Sequence, residues 1–163
     1  MYGVSLDWVK ELETVVETTG CGAVEVLYNA FHQEPGEAFA KAAAKGVGIV
    51  VKVPLDSGWL SGKYRKDSTF TGIRGRWLPE VIARRGKLVE EFAGFVPAGM
   101  SMGHAALKYV LAQPEVSTVI PGAKSAEQAR DNMAASGEVL PAKAVAAMRG
   151  LWEREIKGQA LPW

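Results

Sequence analysis

Apolar positions along the chain switch repeatedly between two periods. Val9, Leu12, Val15 and Val16 recur at helical spacing and predict a helix over 6–18, with Ser5 or Asp7 able to cap it and Gly20-Cys21-Gly22 ending it. Val24 to Tyr28 is a short β-rich run bounded by turn residues, so it predicts a strand. The alanine-rich stretch from Gly36 to Lys45 predicts a second helix, with Gly46 placed to close it. Val47 to Val53 is an unbroken, β-branched run of the kind found in strands buried on both faces. A glycine- and serine-bearing loop over 54–78 follows, longer than ordinary connections and of a length that often carries function. Further helices are expected over 79–95, with Pro79 in the first turn, and from the capping Ser101 to Ala112. Val116 to Ile120 reads as another strand, and the last two helices start at Ser125 and at Pro141, the final one ending near Lys157.

Counted from Gly3-Val4, the pattern gives four βα units without a hairpin signal. Such alternation predicts an α/β protein with a parallel sheet and helical crossovers. Periodicity does not choose between an open doubly wound sheet and part of a barrel. The 163 residues suffice for one domain with a core, and neither a linker nor an internal repeat interrupts them.

Composition narrows the classes. Hydrophobic residues make up 48% and charged residues 23% of the chain, as in ordinary globular proteins. No apolar run approaches the ~20 residues that cross a bilayer, and the N-terminus lacks a basic and apolar leader, so neither a membrane span nor a signal peptide is expected. A single cysteine, Cys21, makes no internal disulfide, and two histidines give no metal spacing; a cytoplasmic protein without a metal is the expectation. A net charge of +1 argues against nucleic acid as a partner. The charge is uneven, however: Lys63 to Lys87 carries +6, leaving −5 for the rest. This block is either a solvated face or a local site for phosphates, and its sparse aromatic interleaving disfavours nucleic acid.

Most catalytic templates are missing. Gly46-Val47-Gly48 precedes its strand, where a dinucleotide fingerprint would follow one, and Gly62-Lys63 is followed by Tyr64 and lacks the upstream glycine of a phosphate loop. Two segments stand out. Ser117 to Asn132 (STVIPGAKSAEQARDN) runs from strand through a glycine turn into a helix, with Lys124 and Ser125 at the helix start. Exposed amides and the helix dipole favour an anion there. Ser125 and Gln128 also form a capping box that needs no ligand, and spacing alone leaves both readings open. The second segment, VKVPLDSGWLSGKY from Val51 to Tyr64, leaves a strand at its C-terminal end, where α/β proteins place their sites. Taken alone, it is a glycine-rich loop.

Together these two phrases resemble the aldo-keto reductase family, at its loop after barrel strand seven and its strand-eight signature for the adenosine 2′-phosphate. The resemblance extends back through Val24 to Asn29, similar to strand six, and Tyr2-Gly3-Val4-Ser5, similar to the end of strand five. It implies that residues 1–163 form a single partial aldo-keto reductase domain, half of a (β/α)8 TIM barrel, with NADP as cofactor. Gly122, Lys124 and Ser125 would then hold the 2′-phosphate, and Gln128 and Asn132 would meet the adenosine. Pro54, Leu55, Ser57 and Leu60 would follow the pyrophosphate, with Lys63 and Arg74 or Arg76 clamping it. Ser5 would approach the nicotinamide amide. Two positions depart from the family pattern. Glu25 stands where a glutamine usually meets the carboxamide, keeping an acceptor but losing the amide donors. Lys52 stands where many members place an aromatic ring, although a bacterial branch has a basic residue there.

In that family NADPH reduces a carbonyl while a tyrosine, tuned by aspartate, lysine and histidine, donates the proton. The resemblance places those four residues on the half of the barrel before strand five, so the chain is expected to be inactive alone, a fragment of the family's barrel. Tyr28, Tyr64 and Lys52 are the candidates for an improvised replacement, but packing, loop anchoring and subfamily character are the readings preferred for them. Four strands also leave two open edges, so a homo-oligomer, or a separate N-terminal half, is expected to cover them.

Overall fold

Alternation of buried and more open side chains, clearest along Gly48–Lys52, determines how the sheet is dressed. In the computed structural model, which describes residues 1–137, 139–159 and 161–162 (the side chains of Ile73 and Arg74 excepted), four strands form one parallel sheet. These are β1 (Gly3–Leu6), β2 (Ala23–Leu27), β3 (Gly48–Lys52) and β4 (Val116–Val119), in the order β1-β2-β3-β4. Ser5 registers with Glu25, and Glu25 with Val50; between Ile49 and Val50 the pairing with β4 slips, and Ser117 Oγ accepts from the Ile49 amide at 3.1 Å.

Helices α1 (Val9–Thr18), α2 (Phe39–Ala44), α3 (Pro79–Ala93) and α4 (Met102–Leu111) lie between the strands, and α5 (Ala126–Ala134) and α6 (Ala142–Glu155) follow β4. Val24, Val26, Ile49 and Val51 are fully buried in a core shared with Leu12 of α1, Phe39 of α2, Tyr109 of α4 and Met148 of α6. The alternate residues, including Glu25, Val50 and Lys52, are partly open to solvent. This corrects the expectation that the run from Val47 to Val53 is covered on both faces. Helical cover lies on one side, so burial follows the strand's period of two.

Other boundaries shift for local reasons. Pairing with β2 takes Gly3 to Leu6 into a strand, and α1 begins after Trp8, where Glu11 Oε2 accepts from the Asp7 and Trp8 amides at 2.9 and 3.1 Å. The predicted helix over 36–45 divides into a 3-10 turn, Glu34–Ala38, with Pro35 near its start, and the shorter α2. The loop over 54–78 contains two 3-10 segments, Asp56–Ser61 and Gly72–Arg76, and a core of its own. Trp59 packs against Tyr64, Phe70 and Trp77 with ring centroids 5.5, 5.5 and 5.8 Å away. Loops that pack their own side chains hold shape without regular structure.

Candidate functional site

At the C-terminal ends of β3 and β4 the two connecting segments face each other across a cleft of about 660 Å³, within the range of small-molecule sites. One wall is the loop after β3. It turns sharply: Val53, Asp56 and Ser57 all have positive φ (53°, 47° and 55°), although none is glycine. Asn29, fully buried at the end of β2, donates from Nδ2 to the Val53 carbonyl at 3.0 Å and accepts from the Phe31 amide at 2.8 Å. Asp56 points into the core and pairs with Arg85 of α3; the two are 2% and 1% exposed. Burial pushes the Asp56 carboxyl upward while Arg85 and His32 pull it back, and burial likewise opposes the charge on Arg85. With Asp56 turned inward, Leu55, Ser57 and Gly58 line the cleft, and Lys63 joins them with its ammonium 4.8 Å from the Tyr64 ring centre.

The other wall is the turn from Ile120 to Lys124 with α5. Ser125 Oγ accepts from the Gln128 amide at 3.2 Å, the cap expected from the sequence. Gln128 Oε1 accepts from the Lys124 amide at 2.8 Å, and Asn132 Nδ2 donates to the Gly122 carbonyl at 3.3 Å. Two side chains of α5 thus brace the turn that carries Lys124. His104 Nε2 lies 2.7 Å from the Asp131 carbonyl oxygen and 2.9 Å from its carboxylate, tying α5 to α4. Neither Lys63 nor Lys124 has a salt-bridge partner among the described residues, so the cleft has cationic groups on both walls.

The fold brings together most of the residues singled out from sequence. Pro54, Leu55, Ser57, Lys63, Gly122, Lys124, Gln128 and Asn132 all line this cleft. Leu60 does not: it is fully buried beneath the loop. Ser125 serves as the cap beside it, and the Arg74 side chain lies outside the described residues. Ser5, Glu25 and Lys52 sit apart, on the open side of the sheet. There Lys52 reaches over β2 from β3 to β1, its Nζ 2.9 Å from Ser5 Oγ and 2.8 Å from the Asp7 carboxylate. Tyr28 is buried against Phe39 and Tyr109, and burial raises its hydroxyl pKa, which suits packing and not proton donation. Tyr64 anchors the aromatic core of the loop.

The basic block of the sequence disperses. Arg85 is spent on Asp56, Lys66 sits 3.8 Å from Glu90, and Arg84 donates to the Glu155 carbonyl and to Gln159 at 2.9 and 3.0 Å. Of that block Lys63 lines the cleft. Sequence reasoning missed Asn29 and the Asp56–Arg85 pair. Among the described residues no cluster of three His, Cys, Asp or Glu side chains could hold a metal, and no helix is long and apolar enough to cross a membrane.

A parallel βα sheet carries, at the carboxyl ends of its strands, a cleft with a lysine on each wall, the place where α/β proteins set their sites. The chain belongs to the aldo/keto reductase family, whose pattern matches residues 1–153. It is similar to the uncharacterized oxidoreductase YqkF of Bacillus subtilis strain 168, 26% identical over 159 residues, covering 96% of this chain and 47% of the relative. Its fold is similar to that of aldo-keto reductase AKR11C1 from Bacillus halodurans in the holo form, with a TM-score of 0.72 at 24% identity, covering 92% of this chain and 49% of that one. The glycerol dehydrogenase AKR11B4 from Gluconobacter oxydans gives a TM-score of 0.73 at 20% identity, over 99% and 51%. The chain spans about half the length of these proteins.

Proposed function

We propose that this chain is the NADP-binding half of an aldo/keto-reductase-type oxidoreductase, cytoplasmic, and inactive in carbonyl reduction by itself. The observation that carries the reading is Lys124, beside the capped N-terminus of α5, on a turn braced by Gln128 and Asn132 and facing Lys63 across the cleft. That donor set fits a ligand with two separated anionic groups. The 2′-phosphate would meet Lys124 and the amides at the start of α5, and the pyrophosphate would meet Ser57 and Lys63. When bound, NADPH supplies a hydride to a carbonyl carbon. The residues of this chain bind and orient it: the two walls fix the adenosine and pyrophosphate ends, and Ser5, Glu25 and Lys52 present polar groups on the sheet face toward the nicotinamide end. The Lys52 ammonium, held by Asp7 and Ser5, is a charge restrained at that end.

The open edges at β1 and β4 favour a second element in the reading: the sheet is completed by another copy of the chain or by a separate N-terminal half, for which this chain serves as an NADP-binding assembly module. Light scattering of the purified chain is expected to read more than one copy, or a complex with that half, and a bare monomer would remove this element.

Titration with NADPH and NADH, followed by nucleotide fluorescence or calorimetry, tests the cofactor. Lys124→Ala is expected to weaken NADPH by about tenfold and NADH by less than about twofold, since a lost charge-assisted contact is worth about 1.5 kcal/mol. Equal losses would mean that Lys124 does not read the 2′-phosphate. Turnover of 4-nitrobenzaldehyde by the chain alone would refute the claim of inactivity.

A further inference from the structure

The buried pair behind the cleft has no part in the chemistry outlined so far. Asp56 and Arg85 come from segments 29 residues apart in sequence, and both are almost wholly withdrawn from water. Taking two charges out of water is costly, and apolar residues of similar volume often serve stability as well or better. An ion pair does offer what an apolar contact lacks, a directional link that fixes where one backbone lies relative to another.

Here the direction matters. Asp56 sits between Leu55 and Ser57, both of which line the cleft, and Asp56 and Ser57 share a left-handed backbone that side chains rarely adopt. Such conformations persist where the surroundings enforce them. Drawing the Asp56 carboxylate inward toward Arg85 turns its two neighbours outward. The anchor is itself fixed. Arg85 Nη2 also donates to the Pro162 carbonyl at 3.0 Å, and its guanidinium lies 5.7 Å from the Trp77 ring centre. The next residue, Gly86, lets α3 approach the loop backbone so closely that an added Cβ would stand 2.4 Å from Lys66 Cα. A rigid path therefore runs from α3 through Arg85 and Asp56 to the cleft wall.

We propose that Asp56 and Arg85 are positioning residues for the pyrophosphate wall of the cleft, holding the turn from Val53 to Lys63 in its ligand-ready shape without touching the ligand. This rests on the reading of the cleft as an NADP site. The effect should fall on one end of the ligand: NADPH carries a pyrophosphate to meet Ser57 and Lys63, whereas adenosine 2′,5′-bisphosphate lacks it and engages mainly the Lys124 wall.

The test titrates the full chain and two variants, Asp56→Asn and Arg85→Lys, with both ligands, checking each variant's fold by circular dichroism. Asp56→Asn is expected to weaken NADPH by about tenfold, a loss of preorganisation. Arg85→Lys keeps the charge but not the two-pronged reach, and is expected to weaken it by about threefold. Adenosine 2′,5′-bisphosphate should change by less than about twofold in both. Parallel loss for the two ligands, or no loss for NADPH, overturns the proposal. Amide hydrogen exchange gives a readout independent of any nucleotide. Exchange over residues 53–63 should accelerate by about tenfold in Asp56→Asn while that of α5 stays level. Unchanged exchange in that turn overturns the proposal whatever binds, whereas failure of the unaltered chain to bind NADPH would strike only the cofactor reading.

Discussion

The two walls of the cleft are built by different physics. The loop after β3 carries fully buried Trp59 and Leu60, an aromatic cluster completed by Tyr64, Phe70 and Trp77, and the Asp56–Arg85 pair behind it. The wall after β4 buries almost nothing: no residue of α5 is buried, and Ile120 and Met133 are 47% and 74% exposed. Tertiary packing holds the first wall, whereas a helix cap, two bonds from side chains to backbone and the His104–Asp131 contact hold the second. Deletions in the aromatic core of the packed wall should therefore be felt as lost stability, whereas changes at the Asp56–Arg85 pair behind it also loosen the turn. In the superficial wall substitutions should be felt as local opening or lost ligand affinity without a global cost.

The largest effect expected from this difference is at Trp59. Replacing a fully buried tryptophan by alanine leaves a cavity among three aromatic rings and should cost about 3–5 kcal/mol in urea unfolding. The matching deletion on the other wall, Met133→Ala, removes an exposed side chain and should stay within about 0.5 kcal/mol. Similar costs at the two positions would break the comparison.

Asn29→Ala comes next. It removes the donor to the Val53 carbonyl and the acceptor of the Phe31 amide, leaving buried polar groups unpaired for an expected loss of about 2 kcal/mol. Positive φ at Val53 is strained, and freeing that peptide relieves part of the strain. The loss should consequently come with faster proteolysis in the turn that follows. A stability loss without that local signature would mean that Asn29 supports the core and not the loop.

What could be read from the sequence divides along the same line. The superficial wall is local: Ser125, Gln128 and the glycine turn lie within a few residues, so cap and cationic turn were both legible in STVIPGAKSAEQ. Even there the detail moved, since Gln128 Oε1 takes the Lys124 amide and not that of Ser125. The packed wall is nonlocal. No periodicity announces that Asp56 will meet Arg85, and in a block of basic residues Arg85 looks like any solvated charge. A weaker signal was present: Trp59, Tyr64, Phe70 and Trp77 fall within one loop, and together they mark a segment with its own core. The strand pattern was legible in type and order. The open face of β3 was not, because a β-branched run does not say whether helices cover one side or two.

An effect smaller than those at Trp59 and Asn29 is the most discriminating. Ser125→Ala removes the side-chain acceptor for the Gln128 amide at the start of α5, a change worth about 1 kcal/mol to a helix. Because α5 contributes no buried residue to the core, that energy belongs to a local opening and not to global unfolding. The urea midpoint should therefore stay nearly fixed, while amide exchange within α5 rises by about fivefold, the factor that 1 kcal/mol supplies. His104, which ties the Asp131 end of α5 to α4, should confine the opening to the first turns, next to Lys124. A fall in global stability approaching that of Trp59→Ala would show that α5 is coupled to the core after all, and the two walls would then be one structure.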